Sequence, residues 1–246
     1  MSTMISVPLT AGDGLDVYIA RPDGEPIGGL VLIHEIWGLV DHIKDVADRF
    51  AAEGWLVAAP DILSHGGVAP ALGAELFAVV NSDDEEARTA AQPRLREALS
   101  GMRAPDYAQW AVGALRATVD WVIEQPGVDG RVAATGFCFG GTYAFLLAAH
   151  DDRVRAVAPF YGTAPSPEGI AGITAPVLAL YGQHDPALID ALPGVTAAMA
   201  EAGVDFEAVV YPDSAHAFFN DTGSRYNPVD AADAWRRVTE FLRTRV

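Results

Sequence analysis

The chain has 246 residues, half of them hydrophobic and one fifth charged, with a formal net charge of −17 and a pI near 4.5. This is globular composition with enough length for one large core, and its acidity argues against nucleic acid or anionic membrane as a partner. The single cysteine excludes an intrachain disulfide and fits a reducing, cytoplasmic setting; the start MSTMISVPLT lacks a signal-peptide pattern, and no apolar run reaches the ~20 residues that span a bilayer.

Residues Met4 to Leu9 and Leu15 to Arg21 read as strands around Ala11-Gly12-Asp13-Gly14, where Asp-Gly is a hairpin signal. Gly29 to Ile33 is a continuous apolar run, as expected in a sheet covered on both faces. Asp41 to Glu53 is an amphipathic helix with Ile43, Val46, Ala47, Phe50 and Ala51 on one face, stopped by Gly54. Trp55 to Ala59 is a buried strand followed by Pro60-Asp61. The pattern weakens from Ile62 to Ser82 into a loop, or a loop with a short helix. Asp83 to Met102 is helical, with Ser82 as cap and Pro93 as a break or kink. Residues 62–104 thus read as a lid-like excursion.

Pro105 to Glu124 is a stronger helix, striped by Trp110, Leu115, Val119, Val122 and Ile123. Strands follow at Val154 to Tyr161, Pro176 to Tyr181 and Phe206 to Tyr211. Helices follow at Ile189 to Ala202 and Pro228 to Arg245. The alternation predicts a single α/β domain over 1–246, with a mostly parallel central sheet and helices on both faces. Such sheets place ligands at the carboxyl ends of their strands.

The chemistry gathers at Arg131 to Gly141, RVAATGFCFGG. A lone cysteine is by default a small buried hydrophobe. Here it stands in Gly136-Phe137-Cys138-Phe139-Gly140, between an apolar run and a helix-forming stretch. That is the nucleophile-elbow pattern with sulfur in place of oxygen, and the tight turn suits glycine on both sides. A thiol attacks as thiolate, so a base must take its proton. In such sheets the chain order is nucleophile, acid, histidine. Asp185 follows the strand ending at Tyr181, and His216 follows the strand ending at Tyr211. Taken singly, Asp185 reads as a turn residue and His216 as a surface histidine. Each after its own strand and in the required order, they read as a triad with Cys138. The oxyanion hole then takes the amide of Phe139 and, from the loop after the first central strand, that of Ile36. No spacing resembles a metal site, and the chemistry needs no cofactor.

The segments His34-Glu35-Ile36-Trp37-Gly38, Ala59-Pro60-Asp61, Gly136 to Gly141, Phe160-Tyr161-Gly162, Tyr181 to Asp185 and His216-Ala217-Phe218 together resemble the dienelactone hydrolases, or carboxymethylenebutenolidases, of the α/β-hydrolase fold. The resemblance implies that Glu35 bonds the resting thiol and takes its proton when substrate binds. It implies that Trp37 is a pocket wall and Tyr161 a strand-end tyrosine near the site. There is one departure. The family's lactone hydrolases carry an arginine shortly after the histidine; here the chain runs into Asn220-Asp221, and the first arginine is Arg225. A second family arginine precedes the elbow, where Arg88, Arg94, Arg96 and Arg103 are candidates. The expected activity is opening of a lactone or cleavage of an ester through a thioester, by a monomer or small homo-oligomer acting on a small molecule. The rivals are a broad esterase for neutral esters and a non-catalytic ligand-binding member of the fold.

Overall fold

The computed structural model describes residues 2–9, 14–104 and 106–246. Eight strands form one sheet: β1 (Ser2–Val7), β2 (Leu15–Ala20), β3 (Gly28–Ile33), β4 (Trp55–Pro60), β5 (Val132–Phe137), β6 (Val154–Phe160), β7 (Val177–Gly182) and β8 (Phe206–Tyr211). Their order is β1-β2-β4-β3-β5-β6-β7-β8. β1 and β2 pair antiparallel, β2 pairs antiparallel with β4, and every pairing from β4 through β8 is parallel. β1 lies two residues earlier than its sequence pattern suggests, and the turn residues Ala11 to Asp13 lie outside the described residues.

β3, β4, β5 and β7 are buried at every position. Alternation along β3 divides the interior: Val31 and Ile33 join one apolar cluster, Leu30 and Leu32 the other. Helices α1 (Asp41–Ala52) and α8 (Pro228–Arg245) cover the second cluster through Ile43, Val46, Phe50, Val238 and Leu242. Helices α4 (Tyr107–Ile123), α5 (Phe139–His150) and α7 (Pro186–Ala202) cover the first through Leu115, Val119, Phe145, Leu147 and Met199. No helix among the described residues is long and apolar enough to cross a membrane.

Within 62–82 the chain takes the second of the two expected forms, a loop with a helix, the 11-residue α2 (Pro70–Val80). Two local expectations need correction. Helix α3 (Glu85–Ala98) is capped by Asp84, whose carboxylate accepts from Ala87 N–H at 3.0 Å; Ser82 accepts from Asp84 N–H instead. Pro93 lies inside α3 without ending it. Its ring removes the partner of the Thr89 carbonyl, but Thr89 is exposed and water can take that bond. Pro105, where the sequence pattern starts the next helix, lies outside the described residues. A four-residue helix, α6 (Pro167–Ile170), also interrupts the loop after β6.

Candidate active site

β3, β5, β6, β7 and β8 run in one direction, so the loops that follow them meet at one edge of the sheet. Cys138, Asp185, His216, Glu35, Ile36, Trp37, Phe139 and Tyr161 sit in those loops or at the following helix start, whereas Arg88, Arg94, Arg96 and Arg103 lie in the excursion after β4. Cys138 stands between β5 and α5 with φ +55° and ψ −113°. Its N–H donates to Phe160 O at 3.0 Å and its carbonyl accepts from Thr142 N–H at 3.1 Å, which fixes both sides of the bend. The flanking glycines are there for want of space. A Cβ on Gly136 would lie 2.3 Å from Gly140 O, and one on Gly140 would lie 2.2 Å from Ile33 O. Strand β3, the elbow and α5 therefore touch backbone to backbone.

Four described non-glycine residues have left-handed backbone, and three of them are here: Cys138, Tyr161 (φ +37°) and Ala217 (φ +65°). Such strain costs of order 1–3 kcal/mol per residue and persists where the surroundings over-determine it. Tyr161 is held by its N–H donating to Leu180 O at 2.7 Å. Ala217 directly follows His216. Nδ1–H of His216 donates to Asp185 Oδ2 at 2.5 Å, which leaves Nε2 as the nitrogen available for chemistry. Asp185 sits just ahead of α7 yet does not cap it with its side chain, which is committed to His216.

Glu35 is 3 % exposed. One oxygen accepts from the Tyr161 hydroxyl at 3.4 Å and the other from Asn220 Nδ2 at 2.6 Å. Burial lifts its carboxyl to about 7, against the lowering effect of Asn220, Tyr161 and the charge of Arg225. Cys138, half-buried, is pushed up to about 12, first by desolvation and then by the negative charge of Glu35. The Phe139 amide, bonded to the sulfur, and the charge of Arg225 work in the other direction. The thiol is thus neutral at rest.

His34, the first residue of this loop, is wholly buried. Nδ1–H donates to Glu35 O at 2.7 Å, and Nε2 accepts from Ile62 N–H at 3.2 Å. It ties the loop after β3 to the loop after β4. Gly38 N–H closes the same turn on Glu35 O at 3.1 Å, with Ile36 and Trp37 between them. Trp37 is half-buried and stands edge-on to Phe77, ring centroids 5.5 Å apart. The Tyr161 ring lies 5.1 Å from that of His216.

Sequence reasoning missed the supporting partners. Asn220 holds Glu35 and is itself oriented by Thr222, whose N–H and hydroxyl donate to its Oδ1 at 3.0 and 2.6 Å. Four residues past His216, its type gives no clue to that role. Arg225 is the arginine whose charge reaches Glu35, Cys138 and Tyr161. Of the earlier candidates, Arg88 donates to Ser82 O and Arg94 pairs with Glu75, both on the α2–α3 excursion. No group of three His, Cys, Asp or Glu among the described residues could hold a metal ion.

A mostly parallel sheet with its helices on both faces, and an elbow at the carboxyl end of a central strand, define a hydrolase of the α/β-hydrolase fold. The chain belongs to the dienelactone hydrolase family, whose model matches residues 15–246. It is 33 % identical to a protein of Saccharolobus solfataricus named "Putative carboxymethylenebutenolidase", over 94 % of this chain and 95 % of that one. A protein of the same name from Escherichia coli K12 is 31 % identical over 97 % of this chain and 85 % of its own length. A crystal structure from Klebsiella pneumoniae, described as a "Putative Dienelactone Hydrolase", superposes with a TM-score of 0.82 at 28 % identity, covering 98 % of both chains.

Proposed function

We propose that the protein hydrolyses an ester or lactone of the dienelactone type by covalent catalysis at Cys138. The observation that carries this reading is the His216–Asp185 bond of 2.5 Å, at the same strand edge as a cysteine held at φ +55°. A structural cysteine has no use for either.

The resting proton sits on sulfur, because Cys138 is raised to about 12 and Glu35 only to about 7. Its transfer to Glu35 becomes favourable only as sulfur bonds to carbon. The substrate carbonyl oxygen lies against the amides of Ile36 and Phe139, which receive the negative charge of the tetrahedral intermediate. His216, as imidazolium beside Asp185, gives its proton to the leaving alkoxide and the thioester remains. The neutral imidazole then takes a proton from water, and the hydroxide adds to the thioester carbonyl. The thiolate departs and recovers its proton from Glu35, so sulfur, Glu35 and His216 all return to their starting states. Trp37 and Tyr161 flank the reacting group. No cofactor enters any step. A thiol nucleophile must stay reduced, which fits the cytoplasm. The catalytic unit acts on a small molecule as a monomer or small homo-oligomer.

Two observations bear on the substrate. Asn220 is spent on Glu35 and offers no charge to a carboxylate. Arg225, in contrast, acts electrostatically on the site and could grip one. Steady-state hydrolysis of cis- and trans-dienelactone beside p-nitrophenyl acetate separates these readings, for wild type, Cys138→Ala and Arg225→Gln. Dienelactone opening that needs both Cys138 and Arg225 supports an anionic lactone. Cys138-dependent turnover of the acetate alone, indifferent to Arg225, supports neutral esters. Activity that survives Cys138→Ala would overturn the nucleophile.

A further inference from the structure

Helix α2, PALGAELFAVV, has Glu75 as its one charged residue, yet only Gly73 and Leu76 are buried. Gly73 seats the helix on the loop after β3, where a Cβ would come within 1.8 Å of Trp37 O. Another face, Pro70, Ala71, Ala74 and Phe77, follows helical spacing and forms one wall of a cavity of about 430 Å³. Leu39 and Val40 contribute to the other side. The space equals roughly one turn of a helix 10 Å across, too little to receive a segment of another protein and within the range of small-molecule sites.

None of the proposed catalytic residues lines the cavity, but two chains of side-chain contacts connect its wall to them. Phe77 lines it and stands edge-on to Trp37, the residue after Ile36. Thr222 lines it and fixes Asn220, which holds Glu35. Lys44 pairs with Asp41 at 3.2 Å, and His42 Nδ1–H donates to Asp221 at 3.1 Å, while His42 Nε2 is buried with no hydrogen-bond partner among the described residues. An anionic tail would find no unmatched cation among these, whereas an apolar chain would cover the bare face of α2.

Building on the hydrolase reading above, we infer that this cavity receives the non-reacting alkyl chain of an uncharged ester and that Phe77 sets how long that chain can be. Each methylene moved from water to such a wall is worth about fourfold in kcat/KM. The test is a ladder of p-nitrophenyl acetate, butyrate and octanoate with wild type, Phe77→Ala and Ala74→Phe. Phe77→Ala should raise the octanoate-to-acetate ratio of kcat/KM about tenfold, the equivalent of between one and two methylenes. Ala74→Phe fills the cavity from an exposed helix position and should lower that ratio by a similar factor. Ratios within twofold of wild type in both variants would overturn the inference while leaving the Cys138 chemistry standing. A readout independent of turnover is thermal stabilisation by 1-octanol. Wild type should be stabilised and Ala74→Phe much less so. No shift in wild type, or equal shifts in both, overturns the inference even if no ester is hydrolysed.

Discussion

Cys138, Tyr161 and Ala217 hold left-handed backbone in the loops at one edge of the sheet, whereas helix α3 buries no residue and is tied to α2 by the exposed Glu75 and Arg94. The first region stores strain because β3, the elbow and α5 leave one another no room to relax. The second has little to hold it and little strain to hold. A nucleophile placed within fractions of an ångström needs the first kind of support. A helix such as α3, which contributes nothing to the strand-edge site or to the cavity along α2, can be built the second way.

The comparison breaks first at the nucleophile. Cys138→Ala should lower kcat/KM on p-nitrophenyl acetate about 10⁴-fold or more, with little change in melting temperature. A variant that melts far below wild type would mean the cysteine is there for packing. Next comes the elbow's closeness. Gly140→Ala sets a Cβ against Ile33 O and should cost about 3 kcal/mol in urea unfolding, since backbone must move on both sides. A loss near zero would show that the strand edge has slack.

Glu35 sharpens the comparison through pH. Folding lifts its carboxyl from 4.5 to about 7. Between those values the folded chain keeps a proton that the unfolded chain has released, so stability falls as pH rises through the window, by about 3 kcal/mol in all. Glu35→Gln should lack this fall in urea unfolding at pH 5 and pH 8. Turnover has the opposite sense. In the proposed mechanism the carboxylate form takes the thiol proton, so kcat/KM of wild type should rise with pH through about 7, and Glu35→Gln should be slower and lose that limb. The smallest effect lies on the excursion. Arg94→Ala should leave acetate turnover within twofold while speeding amide hydrogen exchange in α3. A large loss of turnover would mean α3 is part of the site's framework.

The parts legible in the sequence were those announced by local pattern. β3 and β5 are uninterrupted apolar runs, and Cys138, Asp185 and His216 each follow a strand in a fixed order. What stayed hidden depends on tertiary placement. Asn220 meets Glu35 across 185 residues of chain, and nothing near Asn220 announces the bond. Helix α2 has apolar residues all round and so no period to read, and Gly73 looks like a breaker until Trp37 is found against it. Pro93 looks like a break because the sequence does not say that α3 lies open to water.

His34 and Ile36 stand two places apart in one loop, and their tolerance to replacement should be opposite. His34 spans two backbone groups, with a donor on one edge of a rigid ring and an acceptor on the other. Among standard side chains only neutral imidazole offers that pair at that separation. Burial disfavours the imidazolium, whose second N–H would face Ile62 N–H. Position 34 thus admits a single letter of the alphabet. Position 36, whose proposed part is played by its amide, admits any residue of fitting size except proline.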